Sequence, residues 1–365
     1  ASCSEIRWTA VYSAADYSLS KHSFTKLVVP RPNNGDKKKP TNFKISLEFR
    51  PTSENGVLFA WGSKNWNQYV GAAVQDAFLV VVVQGHRGTV VEQRTQRRFV
   101  LGRWHKLIIE KAGRMLYLTV DGSSISLGKI PRKISLKSRI YVGGLTLKLI
   151  DDFKWANRSF PGCIRDFHVD DQLYSLTPGS NPETLEDYAT MPCYQNLGPG
   201  VFIPGNGYIA LKRFITAGSQ ELELSLFVKT GSPAGLLMAI MDSILETFLI
   251  LENGRVTASI GGISLHHDLV ICDSDWHRIK FIIRSTSNGV EIKLMVDNSE
   301  PAERILPLSF AFEQSTIYFG GLPGRQIFTL GYQPYTGCLK DIVINSQFIE
   351  IQEAETWNVL DACPK

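Results

Sequence analysis

The chain contains one pattern twice, and this internal repeat limits the folds that it can adopt. Residues 103–122 read RWHKLIIEKAGRMLYLTVDG, and residues 275–298 read DWHRIKFIIRSTSNGVEIKLMVDN. Both stretches consist of Trp-His, an apolar run, a break, a second apolar run and Val-Asp. A repeat on this scale predicts two copies of one domain rather than a single large fold.

Three further pairs of segments follow the same order in both halves. ISLEFRPTSENGVLFAWG matches LSLFVKTGSPAGLLMAIM, RIYVGGL matches TIYFGGLPG, and FPGCIRDFHVDDQL matches YTGCLKDIVINSQF. A cysteine then closes each copy, and the turn-forming residues 196–200 make a short junction. The expected organisation is an N-terminal segment at 1–9, a first domain at 10–193 and a second domain at 198–365.

Each copy reads as all-β. Short runs rich in Val, Ile, Leu and Phe alternate with turns rich in Gly, Asn, Asp and Ser. Residues 115–122 alternate apolar and polar side chains into an Asp-Gly turn, which is typical of a β-hairpin. No stretch has a long helical period. The pattern predicts two β-sandwiches, with Trp104 and Trp276 packed inside them.

The cysteines favour disulfide bonds. There are six of them, without CxxC or zinc-like His-Cys spacing. An even number without metal spacing indicates an oxidising compartment. The sequon Asn157-Arg158-Ser159 is a candidate glycosylation site, and no stretch approaches the roughly 18 apolar residues of a membrane span. We therefore expect a secreted protein that is either mature or part of a larger chain.

These segments resemble the laminin G-like domain family. The first copy carries NGVLFAWG, GRWHKL, LTVDG, IYVGGL and GCIRDF, and the second carries AGLLMAI, CDSDWHRI, LMVDN, IYFGGLP and GCLKDI. The resemblance covers essentially the whole chain. It is closest to the C-terminal pair of such domains in laminin α chains, and it implies two jellyroll-like antiparallel β-sandwiches of the concanavalin A/laminin G-like type.

The resemblance also implies a disulfide framework in which each domain pins its last strand. The implied pairs are Cys163–Cys193, Cys338–Cys363 and, from the two cysteines left over, Cys3–Cys272. The third pair would link the N-terminal segment to the second domain. On the chain-entropy account, a loop of that length contributes roughly 4–5 kcal/mol of stability.

Several members of the family hold Ca²⁺ at one rim of the sandwich with two Asp side chains and backbone oxygens, as that hard cation requires. The matching positions here carry no carboxylate: they are Gln68, Ser135, Leu245 and Ser315. Asp242 and Glu246 lie near one of them, but a lone carboxylate would make a weak site. We therefore expect no metal and no cofactor. A cell-surface glycoprotein receptor of the dystroglycan type is implied by the family, but its Ca²⁺-dependent mode lacks its ligands here.

Basic residues are concentrated in the first copy. Residues 94–139 carry twelve basic and two acidic side chains, a net charge of +10, whereas the whole chain has +4. The clusters RTQRR and RKISLKSR are expected at strand ends or loops, and Lys37–Lys39 in a separate loop. If the two clusters converge, they form a face for sulfated glycans or acidic lipid head groups; otherwise they are a solvated surface. The candidate contacts are Arg94, Arg97, Arg98, Arg132, Lys133, Lys137, Arg139 and Lys148.

The sequence contains no motif of catalysis or of nucleic-acid binding, so we expect neither an enzyme nor a nucleic-acid partner. The favoured hypothesis is a basement-membrane adhesion module within a larger laminin α-like chain. It would lie peripheral to the cell membrane and bind heparan sulfate or heparin, sulfated glycolipids or a glycoprotein receptor. The alternative is a soluble ligand of a TAM-type receptor tyrosine kinase, or another carrier protein with such a tandem.

Overall fold

The computed structural model describes the chain except residues 1–2, 5–7, 20–22, 30–41, 138, 180–183, 242–245 and 309–310. Lys37–Lys39, Asp242 and Leu245 therefore lie outside the described residues. The chain divides into two compact units, Thr9–Leu197 and the pair of segments Ala1–Trp8 and Gly198–Lys365. The N-terminal residues thus belong to the body of the second unit.

The first unit is built from short strands and one short helix. In chain order its elements are β1 (Ala10–Tyr17), β2 (Phe24–Val28), β3 (Phe43–Pro51), β4 (Gly56–Gly62), β5 (Tyr69–Gln75), β6 (Phe78–Gly85), β7 (Gly88–Arg94), β8 (His105–Ala112), β9 (Met115–Val120), β10 (Ser123–Lys129), β11 (Arg139–Val142), α1 (Leu147–Asp152), β12 (Gly162–Val169), β13 (Gln172–Tyr174), β14 (Thr184–Tyr188) and β15 (Thr190–Tyr194).

These strands form two antiparallel sheets with the hydrophobic core between them. The first sheet has the order β10-β9-β8-β3-β12-β1-β15, with β13 paired to β12, and the second has the order β14-β2-β11-β4-β5-β6-β7. Alternate side chains of facing strands are buried in the core, as Leu107 and Ile109 of β8 and Val81 and Val83 of β6 show. The predicted all-β sandwich is confirmed.

The second sheet of this unit is buried on its outer face as well. Leu149 of α1 and the following Phe153 and Trp155 pack against Tyr69 of β5. Gly71 makes room for this layer, because a Cβ there would lie 2.4 Å from the Trp155 ring. Burial on both faces explains why β5 and β6 are almost continuously apolar in sequence.

The second unit repeats the plan. From Leu197 onward the elements are β16 (Leu197–Gly198), β17 (Val201–Pro204), β18 (Tyr208–Ile215), β19 (Glu221–Lys229), β20 (Gly235–Met241), β21 (Thr247–Glu252), β22 (Arg255–Ile260), β23 (Ile263–Val270), β24 (His277–Thr286), β25 (Gly289–Val296), β26 (Ala302–Leu306), β27 (Ser315–Phe319), α2 (Gln326–Thr329), β28 (Thr336–Ile344), β29 (Gln347–Phe348), a 3-10 turn (Ile351–Glu353), β30 (Glu355–Trp357) and β31 (Cys363–Pro364).

Its two main sheets have the orders β17-β28-β19-β24-β25-β26, with β29 paired to β28, and β23-β22-β21-β20-β27-β18-β30. Strict alternation places one face of β19 in the core, where Leu222, Leu224, Leu226 and Val228 are buried. The intervening side chains of β19 face outward and pair with β24, as in the ion pair of Glu223 with Lys280 at 2.6 Å. The outer face of this sheet is therefore largely charge-balanced.

Three disulfide bonds close the fold. Cys163 of β12 is bonded to Cys193 of β15, Cys338 of β28 to Cys363 of β31, and Cys3 to Cys272 in the loop before β24. These are the pairs that the family resemblance implies. Ser4 reinforces the third bond, because its backbone N–H donates to the Cys272 carbonyl at 2.9 Å. The N-terminal residues are thus fastened to the second unit.

Candidate functional site

The strands of the first sandwich end at two rims, which the strand register identifies. Pairing of Gly62 with Tyr69, and of Gly85 with Gly88, places strand ends at one rim. That end, with residues 63–68, 86–87 and 130–137, is called the basic rim below. The other end, with residues 52–55, 76–77 and 95–104, is called the opposite rim. β7, which has seven residues, runs from one rim to the other over a distance of about 20 Å.

A pocket of about 430 Å³ opens at the basic rim between a hairpin turn and a loop. The turn joins β6 to β7 and carries His86 and Arg87, and the loop carries Pro131 and Lys133. Gln68 completes the wall. The side chains of His86, Arg87 and Lys133 are exposed, so two permanent cations face solvent around one concave site.

The loop at 130–137 is fixed by hydrogen bonds to its backbone. The Lys111 ammonium donates to the Arg132 carbonyl at 3.0 Å, and the Trp61 indole N–H donates to the Lys137 carbonyl at 2.5 Å. The Lys137 N–H in turn donates to the Gly62 carbonyl at 3.0 Å. The backbone path of the loop is therefore set by the sandwich, while the side chains of Arg132 and Lys133 are exposed.

Five cations at the basic rim have no acidic partner among the residues that the structure describes. Within the part of the chain that the structure describes, none of the following takes part in an ion pair: Arg87, Arg132, Lys133, Lys137 and Arg139. Arg139 lies at this rim because it begins β11, whose Ile140 pairs with Trp61. A cluster of uncompensated charges raises the local potential and attracts polyanions.

The RTQRR cluster lies at the opposite rim. Arg94 is 3.2 Å from the Asp76 carboxylate and stacks over Phe78, and Arg98 is 2.9 Å from the Glu54 carboxylate. The two basic clusters of the sequence therefore do not converge on one face. Arg97 stays exposed at that rim.

Lys148 belongs to neither cluster. It is exposed on α1, the helix that covers the outer face of the second sheet. Its proximity to Arg139 in the chain made Lys148 a predicted contact residue. Proximity in the chain, however, does not determine which rim or face of the sandwich a residue occupies.

His86 and Arg87 are site residues that the sequence reading omitted. They form the two-residue turn of QGHRGT, after the apolar run of β6. A two-residue hairpin between apolar runs is recognisable from sequence, but its proximity to Lys133 depends on how the sheet closes. The turn can therefore be predicted from the sequence, whereas its position beside the loop cannot.

Three of the four positions matched to the family's Ca²⁺ ligands are described by the structure, and these three, Gln68, Ser135 and Ser315, are neutral and form hydrogen bonds within the protein. The side-chain oxygen of Gln68 accepts a hydrogen bond from the Ser135 N–H at 3.1 Å. Ser315 is buried, and its hydroxyl donates to the Glu313 carbonyl at 2.8 Å. The described residues contain no group of three or more His, Cys, Asp or Glu side chains that fits a metal ion. Gln68, Ser135 and Ser315 supply no carboxylate, whereas Ca²⁺ sites are built from several hard oxygen ligands, often carboxylates.

The histidines of the two Trp-His motifs form hydrogen bonds with aspartate side chains of their own domain. The Nδ1 atom of His105 lies 2.8 Å from the Asp121 carboxylate, and that of His277 lies 2.8 Å from Asp297. In the second copy the other ring nitrogen, Nε2, lies 2.9 Å from Asp273. Burial lowers the pKa of His277, but hydrogen bonds and charge from the two carboxylates outweigh this, so the pKa is raised overall.

The Trp residues do not pack between the sheets, contrary to the sequence-based expectation. Trp104 lies on the outer face, against Cys163 and Cys193, with the Arg165 guanidinium 4.1 Å from its ring. Trp276 holds the Lys340 ammonium at 4.4 Å in the same way. The reason is strand alternation: Leu107 and Ile109 face the core, so the even-numbered positions of that stretch face outward.

Comparison with known proteins gives a consistent family. The Laminin G domain profile matches residues 49–172 and 228–347. The chain is 24% identical to laminin subunit alpha of Drosophila melanogaster over 342 residues, which are 90% of this chain and 9% of that protein. It is 24% identical to laminin subunit alpha-1 of Mus musculus over 376 residues, 96% of this chain and 12% of that protein. The chain thus spans about a tenth of the length of these relatives.

The fold has a close counterpart in a solved structure. Domains LG4-5 of the mouse laminin alpha1 chain superpose with a TM-score of 0.69 at 21% identity, covering 100% of this chain and 99% of that one. Among the described residues, no helix is long and apolar enough to cross a bilayer. The matched relatives are laminin α subunits, and the chain is a secreted protein of the extracellular matrix. With both repeats matched in sequence and in fold, the chain belongs to the laminin G domain family.

Proposed function

We propose that the chain is an adhesion module of the extracellular matrix whose first domain binds acidic glycans such as heparan sulfate through the basic rim, independently of Ca²⁺. One observation carries this proposal. Arg87 of a hairpin turn and Lys133 of a fixed loop line one pocket at that rim, and Arg139 begins a strand at the same rim. Three separate chain segments contribute, so the charge density arises from the fold.

The chemistry of these side chains suits sulfate and carboxylate groups. The guanidinium groups of Arg87 and Arg132 offer paired donors to two oxygens of one anion, and the Lys133 ammonium supplies a point charge. Because the backbone beneath Arg132 and Lys133 is fixed by hydrogen bonds, less order has to be gained on binding. The rim therefore favours repeated acidic groups along an extended glycan.

The absence of carboxylates at the matched positions favours a direct, metal-free mode. The Gln68 side-chain oxygen already accepts a hydrogen bond from the Ser135 N–H, so this potential cation ligand is engaged within the protein. Sulfated glycolipids share the sulfate chemistry and are included in the proposal. A glycoprotein receptor of the dystroglycan type would have to be recognised through the same cations. The module acts by binding and not by catalysis, as laminin G domains generally do.

The test is heparin-affinity elution of two matched triple variants. Arg132→Ala/Lys133→Ala/Lys137→Ala removes three cations from the basic rim, and Arg94→Ala/Arg97→Ala/Arg98→Ala removes three from the opposite rim. Both variants change the net charge equally, so they separate position from total charge. We expect the first variant to elute at clearly lower salt than the wild type and the second to elute close to it.

The result that would overturn the proposal is equal elution of all three proteins, or weak retention of the wild type near physiological salt. Surface ion pairs such as that of Arg98 with Glu54 contribute little to stability, about 0–1 kcal/mol. Both variants should therefore fold, which circular dichroism and thermal unfolding would verify.

A further inference from the structure

A lysine occupies a core-facing position in the first sandwich. Along β8 the buried positions alternate, and Lys111 follows Leu107 and Ile109 on the inward face. The residue is 2% exposed. A buried ammonium is unfavourable unless hydrogen-bond acceptors surround it, so its partners indicate what it does.

Two of its partners are backbone carbonyls beside the basic rim. The Lys111 Nζ donates to the Gly113 carbonyl at 2.5 Å and to the Arg132 carbonyl at 3.0 Å. The first carbonyl belongs to the turn between β8 and β9, and the second to the loop that carries the proposed contact residues. Burial, with a further contribution from the charge of Arg132, lowers the pKa of Lys111. The lysine thus spans from the core of the sandwich to the loop.

The second domain supplies a natural comparison. Aligning the Trp-His motifs matches Lys111 to Ile283 of β24, which is 0% exposed and packs as an ordinary core residue. The fold therefore does not need a lysine at this position. The turn that corresponds to His86 and Arg87 is formed by Gly261 and Gly262 in the second domain. The lysine and the basic turn occur together in the first domain, and neither occurs in the second.

We infer that Lys111 is the positioning residue of the polyanion site: by binding the Arg132 carbonyl from inside the sandwich, it fixes the loop that carries Arg132 and Lys133 beside the pocket. This inference rests on the proposed function. Lys111 does not touch the ligand, because its ammonium is buried. It acts by fixing the loop, so its removal should lower the number of cations that engage the glycan at once.

The experiment compares heparin binding by the wild type, Lys111→Met and Lys111→Ile across a range of salt concentrations. Methionine keeps the length of the side chain, and isoleucine is the residue of the second domain. The Gly113 and Arg132 carbonyls lose this donor in both variants, but they belong to exposed residues and can bond to water instead. We therefore expect a modest cost in stability, which thermal unfolding verifies. Lys106→Met removes one exposed charge from the same strand and controls for net charge.

We expect about tenfold weaker binding for both Lys111 variants and a shallower dependence of affinity on salt, because fewer ion contacts form in the complex. Lys106→Met should keep the wild-type slope. Amide hydrogen exchange should accelerate in residues 130–137 of the Lys111 variants and stay unchanged in the core strands.

The outcomes separate the two proposals. A wild type that does not bind heparin overturns the proposed function itself. A wild type that binds, with Lys111 variants that keep its affinity, salt slope and loop exchange, overturns only the positioning role. If Lys111→Met is too unstable to assay, heparin binding by Lys111→Ile and hydrogen exchange in its loop still test the positioning role.

Discussion

The side-chain oxygen of Gln68 accepts a hydrogen bond from the backbone N–H of Ser135 at 3.1 Å. The bond joins the two positions of the first domain that match the Ca²⁺ ligands of other family members. A neutral amide and a peptide group meet where two carboxylates would hold a cation. The same bond fixes the loop that carries Arg132 and Lys133. The backbone of this rim is therefore held by a hydrogen bond between uncharged groups, while its exposed side chains are positively charged.

Calcium should have no effect on the first domain. We expect its thermal midpoint and its heparin retention to be unchanged by millimolar Ca²⁺ or by a chelator, because a ligand that binds only the folded state would raise the midpoint. The comparison uses the isolated tandem with Mg²⁺ as the ionic-strength control. A midpoint that rises with Ca²⁺ but not with Mg²⁺ would contradict the metal-free mode.

Gln68→Ala should weaken glycan binding with little loss of stability. The variant removes the bond to Ser135, and a single hydrogen bond of this kind contributes about 1 kcal/mol. We expect a several-fold loss of heparin affinity as the loop becomes less ordered.

The matched control for that variant is Gln75→Ala. Gln75 lies at the other end of β5, where its amide donates to the Trp155 carbonyl at 2.9 Å. It loses a comparable bond far from the basic rim and should bind like the wild type. Equal losses in both variants would show that the effect is general destabilisation.

The stability of the second unit should depend on pH through His277. Its pKa is raised overall by Asp297 and Asp273 against the effect of burial, so the folded state binds the proton more tightly than the unfolded state. The resulting stabilisation is fully present below the unfolded pKa of about 6.5 and is lost as pH rises through the raised pKa.

The check is denaturant unfolding at several pH values for the wild type and for Asp273→Asn. That substitution removes the carboxylate 2.9 Å from the imidazole Nε2 and should shrink the pH-dependent part of the stability. NMR titration of the His277 ring gives the pKa directly. An unchanged titration in Asp273→Asn would count against the assigned cause.

Removing the Cys3–Cys272 bond should destabilise the chain more than removing Cys338–Cys363. The sequence separations are 269 and 25 residues, and the chain-entropy account gives about 5.6 and about 3.5 kcal/mol. Paired Cys→Ala variants measured by denaturant unfolding provide the comparison. A larger loss for the short loop would indicate that native packing, and not loop closure, dominates.

Asn157 should carry an N-linked glycan when the chain is produced in a secretory system. The asparagine side chain is exposed, while Ser159 of the same sequon is buried and its hydroxyl accepts from the Ser23 N–H at 2.5 Å. Intact mass before and after glycosidase treatment, with Asn157→Gln as the control, tests this. A wild-type mass equal to the bare polypeptide would exclude the modification.

The sequence by itself determined the architecture. The repeat, the period-two alternation in strands such as β19 and the turn residues between them specify two β-sandwiches, because these signals act between near neighbours in the chain. The family motifs implied the three disulfide pairs that the structure contains. The local sequence pattern was sufficient to predict a strand wherever burial of one face dictates the residue type.

Only the tertiary structure decided which charges act together. Arg94 and Lys133 both lie in residues 94–139, which carry a net charge of +10. The strand register nevertheless places them at opposite rims, and Arg94 forms an ion pair with Asp76 at the opposite rim. The approach of Arg87 to Lys133, and the reach of Lys111 from the core to the Arg132 carbonyl, likewise depend on how the sheets close. Side chains distant in sequence meet through sheet pairing, and no local pattern in the chain encodes such distances.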